Sequence, residues 1–414
     1  MALRRTVLAS FAAVAAWSAL VAAPAAHAAS PARSLVYDVP STKGNIDVSK
    51  VNFNDDTKKL TAWVRLPAGY DDQPDRRWPV LYLLHGWEDS SNAWLDPKKG
   101  SIDTVLPADF NGIVVMPEGG KEWFVNWADP AKNPGHQWED YLLDEVVPFM
   151  ESHLRILPGR ANHAIGGLSM GGFGGLRAVA TMPTYFGQAV VYSGLVNTQD
   201  PSFQTILNIA QIPRPGYGAV FGTLTGAYAT TLNPIKYARD FSGSNISLYY
   251  GTPSIAFLWS TDVRVHGVAT LEIGVGLETR DLLAALKPTT ANVFSMNLAG
   301  GQHDWPWWRQ YLANSVQRGL WNAPPITQTS QATSWTYDTM ATHGNAWGLG
   351  FKMQTAPVGT VTLQRSGSTL TGTGKGTIQI TGGAADDDDS GNGTLAGCSY
   401  TLTLPFKQQL PAGC

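Results

Sequence analysis

Only two cysteines, Cys398 and Cys414, occur in 414 residues, and neither belongs to a C-x-x-C pair or a Cys/His cluster. No zinc signature follows from such a set, and the residues imply no metal or cofactor. Charge is also sparse. The 29 basic and 32 acidic residues give a net charge of −3, with nothing to suggest nucleic acid as a partner. Beyond the N-terminal segment, no stretch reaches the roughly eighteen uninterrupted apolar residues that a membrane span requires.

The N-terminal segment has its own pattern. Arg4-Arg5 precedes an Ala- and Val-rich apolar run over residues 6–23, and Ala26-His27-Ala28 supplies the small-x-small site of a signal peptidase. Residues 1–28 therefore read as a signal peptide cleaved after Ala28, with an N-terminal membrane anchor as the rival. The arginine pair leaves both general and twin-arginine export open. Removing the segment leaves 27 basic residues against 32 acidic ones, a net −5. The remaining 386 residues exceed what one core usually supports, so one large and one smaller domain are expected. In an exported chain, Cys398 and Cys414 read as a disulfide closing a short loop.

Periodicity divides the chain. Nearly continuous apolar strands alternate with helical segments between residues 29 and 320, as in Val80-Leu81-Tyr82-Leu83-Leu84, Ile113-Val114-Val115-Met116 and Ala189-Val190-Val191-Tyr192. That pattern predicts an α/β domain with a mostly parallel sheet covered on both faces. Residues 138–150 and 282–286 read as helices. Asn322-Ala323-Pro324-Pro325 and a Thr/Ser/Gln-rich stretch make residues 321–334 a linker. Residues 335–414 read as a small β-rich module, because strands such as Gly359-Thr360-Val361-Thr362-Leu363 and Gly376-Thr377-Ile378-Gln379-Ile380 alternate between glycine-rich turns. The four aspartates Asp386 to Asp389 read as a solvated turn rather than a calcium site.

The residues richest in chemistry are Gly167-Leu168-Ser169-Met170-Gly171, a G-x-S-x-G nucleophile elbow. A short apolar run leads in, and small and apolar residues at helical spacing come after, so strand, turn and helix are expected in that order. The pattern points to acyl transfer through Ser169 on an α/β-hydrolase fold. Such a serine needs a base and an acid that lie after it in the chain. Of the eight histidines, only His266, His303 and His343 lie after Ser169, and His343 falls in the β module. His303 is the candidate base, because Gly300-Gly301-Gln302-His303-Asp304-Trp305 comes after a strand and before a helix; His266 is the rival. Position alone leaves Asp262, Glu272, Glu278 and Asp281 open as the acid. The oxyanion hole needs two backbone N–H groups, one from the residue after the nucleophile and one from the loop after the strand ending in His85-Gly86. Met170 and Trp87 are the candidates.

Together, Leu83-Leu84-His85-Gly86-Trp87, Met116-Pro117-Glu118-Gly119-Gly120, Trp138-Glu139, the elbow and the His303 string resemble the esterase D group of α/β hydrolases. The order is most similar to the secreted antigen 85 mycolyltransferases, from about residue 36 to residue 320. The resemblance implies a glutamate as the acid and matches it to Glu272, lying upstream of the helix that precedes the histidine strand; feruloyl-type relatives would instead imply Asp262. It also implies an acyl ester substrate, lipid or glycolipid, with water or a sugar hydroxyl as acceptor. One departure concerns position 85, where a mycolyltransferase has a sugar-contacting aspartate and this chain has His85, with Glu88 in place of a basic residue.

Three functions remain on this reading. The first is a secreted serine esterase or acyltransferase. The second is a carbohydrate esterase removing feruloyl or acetyl groups, and the third a non-catalytic wall-binding protein. Eight tryptophans, Trp87, Trp94, Trp123, Trp127, Trp138, Trp305, Trp307 and Trp308, fall near loop ends, and about half are expected to line the site. Residues 198–244 are expected to cap the acyl site. The β module could attach the protein to the cell wall, bind polysaccharide or stabilise the fold.

Overall fold

A computed structural model describes residues 29–54, 57–201, 203–204, 217–223, 225–259, 261–322, 334–339, 341–355, 359–382, 398–411 and 414. The expected signal peptide, the aspartate run and most of the expected linker lie outside these residues.

Eight strands form the large sheet: β1 (Arg33–Asp38), β2 (Thr61–Leu66), β3 (Val80–Leu84), β4 (Ile113–Pro117), β5 (His163–Leu168), β6 (Gln188–Tyr192), β7 (Asn245–Thr252) and β8 (Asn292–Ala299). Their spatial order is β1-β2-β4-β3-β5-β6-β7-β8. Strand β2 pairs antiparallel with both β1 and β4, and every other pair is parallel. This is the α/β-hydrolase architecture.

The strands at the centre are buried throughout and mostly apolar because both faces are covered. In β3, Val80, Tyr82 and Leu84 join one core while Leu81 and Leu83 join the other. Four helices position the site and its surroundings: α1 (Val147–His153), α2 (Met170–Thr181), α3 (Val263–Leu286) and α4 (Trp305–Arg318). Phe173, Leu176 and Val179 of α2 pack into the first core, and Trp308, Tyr311 and Leu312 of α4 into the second. Edge strand β8 instead alternates exposed and half-buried positions.

Two helix boundaries correct the sequence reading. The stretch 138–150 is helical but contains a π turn over Leu142–Val146 before α1 begins. Residues 282–286 are only the last turn of the 24-residue α3. Glycines at 267, 274 and 276 break the apolar pattern and disguise the helix, although the backbone of Gly276 packs beside the Tyr250 ring of β7.

The C-terminal residues add β9 (Ser334–Thr339), β10 (His343–Ala346), β11 (Leu349–Met353), β12 (Val361–Ser366), β13 (Thr369–Thr373), β14 (Thr377–Gly382), β15 (Cys398–Thr403) and β16 (Phe406–Gln409). They form two four-stranded antiparallel sheets, β10-β11-β14-β15 and β16-β13-β12-β9. One core holds them together, built on Trp335, Tyr337, Leu349, Phe351, Leu363 and Ile380. This module is docked on the α/β domain. Tyr337 donates to Thr181 O at 3.2 Å, and the Asp338 N–H to Asp240 Oδ1 at 3.1 Å. His343 Nε2 lies 2.6 Å from Asp144 Oδ1, and Arg239 pairs with Asp338. The side-chain hydrogen bond to Asp144 raises the His343 pKa above the usual imidazole value, against the opposing effect of burial.

Cys398 and Cys414 are bonded across 16 residues, and their sulfurs pack on Gly382, where a Cβ would come within 2.6 Å of both. Closing a loop of this length stabilises by about 3 kcal/mol in the chain-entropy model. Cys398→Ser is expected to lower the unfolding temperature of the module by that loss, and a thermogram identical to the parent's would remove the disulfide from its stability.

Candidate active site

Ser169 comes directly after β5 and starts α2, with φ 52° and ψ −118°. A serine at positive φ stores about 1–3 kcal/mol of strain, which the packed surroundings must hold. The reason lies in the glycines. A Cβ on Gly167 would stand 2.1 Å from Leu84 O, and one on Gly171 would stand 2.7 Å from Leu84 O and His85 O. The turn therefore presses against the end of β3 on both sides of the serine, and only glycine fits. Ser169 is 7% exposed, and its N–H donates to Tyr192 O at 2.8 Å. Because Met170 opens α2, its N–H stands at the positive end of the helix dipole.

His303 stands beyond the end of β8. Gly300 takes φ 81°, and Gly301 passes so close to Gly251 of β7 that a Cβ on Gly251 would lie 2.4 Å from the Gly301 carbonyl carbon. Asp304 caps α4 by accepting from the Trp305 N–H at 2.8 Å, and Pro306 lies in its first turn. The imidazole rests edge-on to Trp308 at 5.1 Å, which in turn meets Trp305 at 5.2 Å, and Trp305 meets Trp94 at 5.0 Å.

Glu272 lies inside α3, fully buried, which corrects its expected position upstream of the helix. Its Oε2 accepts from His303 Nδ1 at 3.0 Å. Oε1 accepts from Ser193 Oγ at 2.9 Å and from the Gly251 N–H at 2.6 Å. With Nδ1 committed to Glu272, Nε2 is the ring nitrogen left for another partner. Among the described residues no hydrogen bond joins His303 to Ser169 Oγ; such bonds are often long in free enzymes and tighten with substrate.

Two of the rival acids have other work. Asp262 caps α3, accepting from the Arg264 and Val265 N–H groups. Glu278 is fully buried and accepts from the Val196 and Asn197 N–H groups at 2.6 and 2.8 Å, so it holds the chain leaving β6. His266 lies within α3.

Most of the eight tryptophans are buried. Trp94, Trp123, Trp127, Trp138, Trp305 and Trp308 are buried, while Trp87 and Trp307 are half-buried. Burial does not set them apart from the site, since Ser169 and His303 are buried to the same degree and Trp308 meets the His303 ring. Trp123 contacts Phe173, Phe203 and Phe221 in one buried aromatic cluster, and its N–H reaches Met170 Sδ at 3.1 Å. His85 is also buried and faces the protein: Nδ1 lies 2.8 Å from Gly86 O, and Nε2 is 3.0 Å from the Gly119 N and 3.3 Å from Glu118 Oε1. Burial disfavours its charged form, but the Glu118 carboxylate outweighs this and raises the pKa.

An esterase family model matches residues 56–318. The chain belongs to the esterase family. The esterase is of the esterase D and antigen 85 type: over 247 residues it is 28% identical to the diacylglycerol acyltransferase/mycolyltransferase Ag85C of Mycobacterium avium, covering 56% of this chain and 67% of that protein. It is 27% identical to an acetyl esterase of Caldicellulosiruptor saccharolyticus, covering 63% and 92%. Against Esterase Rv1288 of Mycobacterium tuberculosis, the match spans 44% of the relative's length. The Mycobacterium tuberculosis MPT51 structure shares the fold at a TM-score of 0.54 and 18% identity, covering 72% of this chain and 100% of that one. The esterase is thus an enzyme of the carboxylic ester hydrolase or acyltransferase type.

Three polar residues around the candidate site carried no role in the sequence reading: Asn54, Glu118 and Ser193. Ser193 (φ 48°) is another left-handed residue at a strand's end, a conformation that Ser-Gly does not advertise.

Burial raises the Glu278 carboxyl to about 8, against the pull of its two N–H partners. The folded state then keeps a proton that the unfolded chain has lost, so the group's contribution to stability falls as pH rises from near 4.5 to about 8. Glu278→Gln is expected to melt above the parent at pH 8 and level with it at pH 4; a gap that does not change with pH would contradict the protonated native form.

Proposed function

We propose that this protein is a secreted serine esterase or acyltransferase that moves an acyl group through an acyl-Ser169 intermediate to a sugar hydroxyl or to water. The hydrogen bond from His303 Nδ1 to buried Glu272 carries the reading, together with the strained Ser169 at the same end of the sheet. In the mechanism, Ser169 Oγ attacks the ester carbonyl while His303 Nε2 takes its proton. Glu272 holds the resulting imidazolium, and the N–H groups of Met170 and Trp87 receive the oxyanion. The alcohol leaves with the proton from His303. The acceptor then repeats the sequence in reverse, giving its proton to His303 and releasing Ser169. Export follows from the N-terminal segment and fits the disulfide.

A second reading, a carbohydrate esterase acting on feruloyl or acetyl groups, draws on position 85. Where a mycolyltransferase would offer an aspartate to sugar, His85 is buried and its ring nitrogens are engaged with Gly86, Glu118 and Gly119. Cell-wall or polysaccharide association through the β module belongs to the proposal as well.

Hydrolysis of p-nitrophenyl butyrate should vanish in Ser169→Ala and fall at least about a hundredfold in Glu272→Gln, while Asp262→Asn keeps most of it. A folded parent with no activity would defeat the proposal and favour a non-catalytic binding protein. Incubation with trehalose monomycolate and with feruloylated arabinoxylan separates the two enzymatic readings, since product from the second alone would favour the carbohydrate esterase.

A further inference from the structure

The loop after β3 carries Trp87, whose N–H is the proposed oxyanion donor, and what aims that N–H is visible in its neighbours. The peptide in question joins Gly86 to Trp87. In a trans peptide the C=O and the following N–H point in opposite directions, so whatever holds Gly86 O also sets the direction of the Trp87 N–H. Two donors hold that oxygen: His85 Nδ1 at 2.8 Å and the Asp89 N–H at 3.1 Å. A carbonyl oxygen only accepts, so Nδ1 carries a proton whether the ring is neutral or charged.

The other end of the His85 ring is anchored in turn. Nε2 sits against the Gly119 N–H and Glu118 Oε1. Glu118 is 1% exposed; its Oε2 accepts from the Ser91 N–H at 3.0 Å, and Oε1 from the Gly119 and Gly120 N–H groups at 3.2 and 2.8 Å. One carboxylate thus joins the start and the end of the loop to the turn after β4. The next peptide is held separately. Asn54 Nδ2 donates to Trp87 O at 2.8 Å and also to Asp89 O. Two successive peptides are therefore fixed on either side of Trp87, and Gly86 leaves no slack, since a Cβ there would lie 2.4 Å from Leu168 Cδ1.

We propose that His85, braced by Glu118, and Asn54 are positioning residues that aim the Trp87 N–H at the oxyanion. This rests on the reading of Ser169 as the nucleophile. None of the three side chains touches the reacting atoms; each acts through the peptide it holds. A preorganised donor contributes only when negative charge develops, so its misalignment lowers turnover and leaves substrate binding nearly alone.

The test uses the full chain with Asn54→Ala, His85→Leu, His85→Asn and Ser169→Ala, each checked for folding by its melting curve. The readouts are kcat and KM for p-nitrophenyl butyrate and the inhibition constant of phenylboronic acid, whose serine adduct mimics the tetrahedral intermediate. Expected for Asn54→Ala and His85→Leu is a loss of about ten- to a hundredfold in kcat with KM within about threefold, and boronate affinity weakened in parallel. His85→Asn, whose amide can still donate to Gly86 O, should recover part of that loss. A merely structural role would lower the melting temperature without separating kcat from KM. Should His85→Leu fail to fold, Asn54→Ala decides alone. Folded variants with kcat and boronate affinity within about twofold of the parent, or a loss in KM alone, would overturn the inference while an inactive Ser169→Ala keeps the catalytic reading. An active Ser169→Ala would sink both.

Discussion

Everything at the candidate site depends on how closely the backbone of the elbow approaches the end of β3. Gly167 and Gly171 leave no space for a side chain against Leu84 and His85, and on the other side a Cβ on Gly166 would stand 1.8 Å from Val190 O. Helix α2 also lies hard against β5, since a Cβ on Gly175 would stand 2.6 Å from Gly166 Cα. This packing puts Ser169 at positive φ, and the same contact brings the loop carrying Trp87 alongside the first turn of α2. A second glycine pair repeats the device across the sheet, where Gly251 and Gly301 let the ends of β7 and β8 close together and set His303.

Buried carboxylates then organise the loops that these close approaches bring together. Glu272, Glu278, Glu118, Glu122 and Glu139 are all at most 4% exposed. A bare carboxylate at such depth is costly, so the others are surrounded by donors, while Glu278, whose Oε1 has no hydrogen-bond partner among the described residues, is pushed toward its protonated form by burial. Glu122 accepts from His136 and Trp138 at 2.6 Å, Glu139 takes Arg177 through both oxygens, and Glu278 takes two backbone N–H groups. The donors of Glu272 come from the ends of β6, β7 and β8, so satisfying that one carboxylate positions several loops at once. The same arrangement reaches the β module, whose Asp338 N–H meets buried Asp240 next to the Arg177 and Glu139 pair. The module is therefore continuous with the polar frame of the α/β domain rather than suspended from it.

Much of this was legible in the chain. The strands β3, β4 and β6 stand out because burial on both faces demands unbroken apolar runs, and the elbow stands out because its steric requirement is local. His303 could be read from chain order together with its glycine pair. Helix α3 was legible only at its C-terminal end, since three glycines and alternating small residues hide a helix whose stability comes from packing on β7. The tryptophans were less legible: an indole near a loop end suits a ligand or a core equally well, and only neighbours decide.

By itself the sequence determined the alternation of strands and helices and the strained serine turn, because each is dictated by residues close together in the chain. Only the tertiary structure decided that Glu272 rather than Asp262 meets His303, that His85 turns inward, and that Asn54 and Glu118 brace the loop at Trp87. The contacts of Glu272 with His303, Asn54 with Trp87 and His85 with Gly119 join residues 31, 33 and 34 positions apart on separate elements. A carboxylate on a helix or an amide in a loop carries no mark of its partner until folding removes water from between them and leaves one donor within reach.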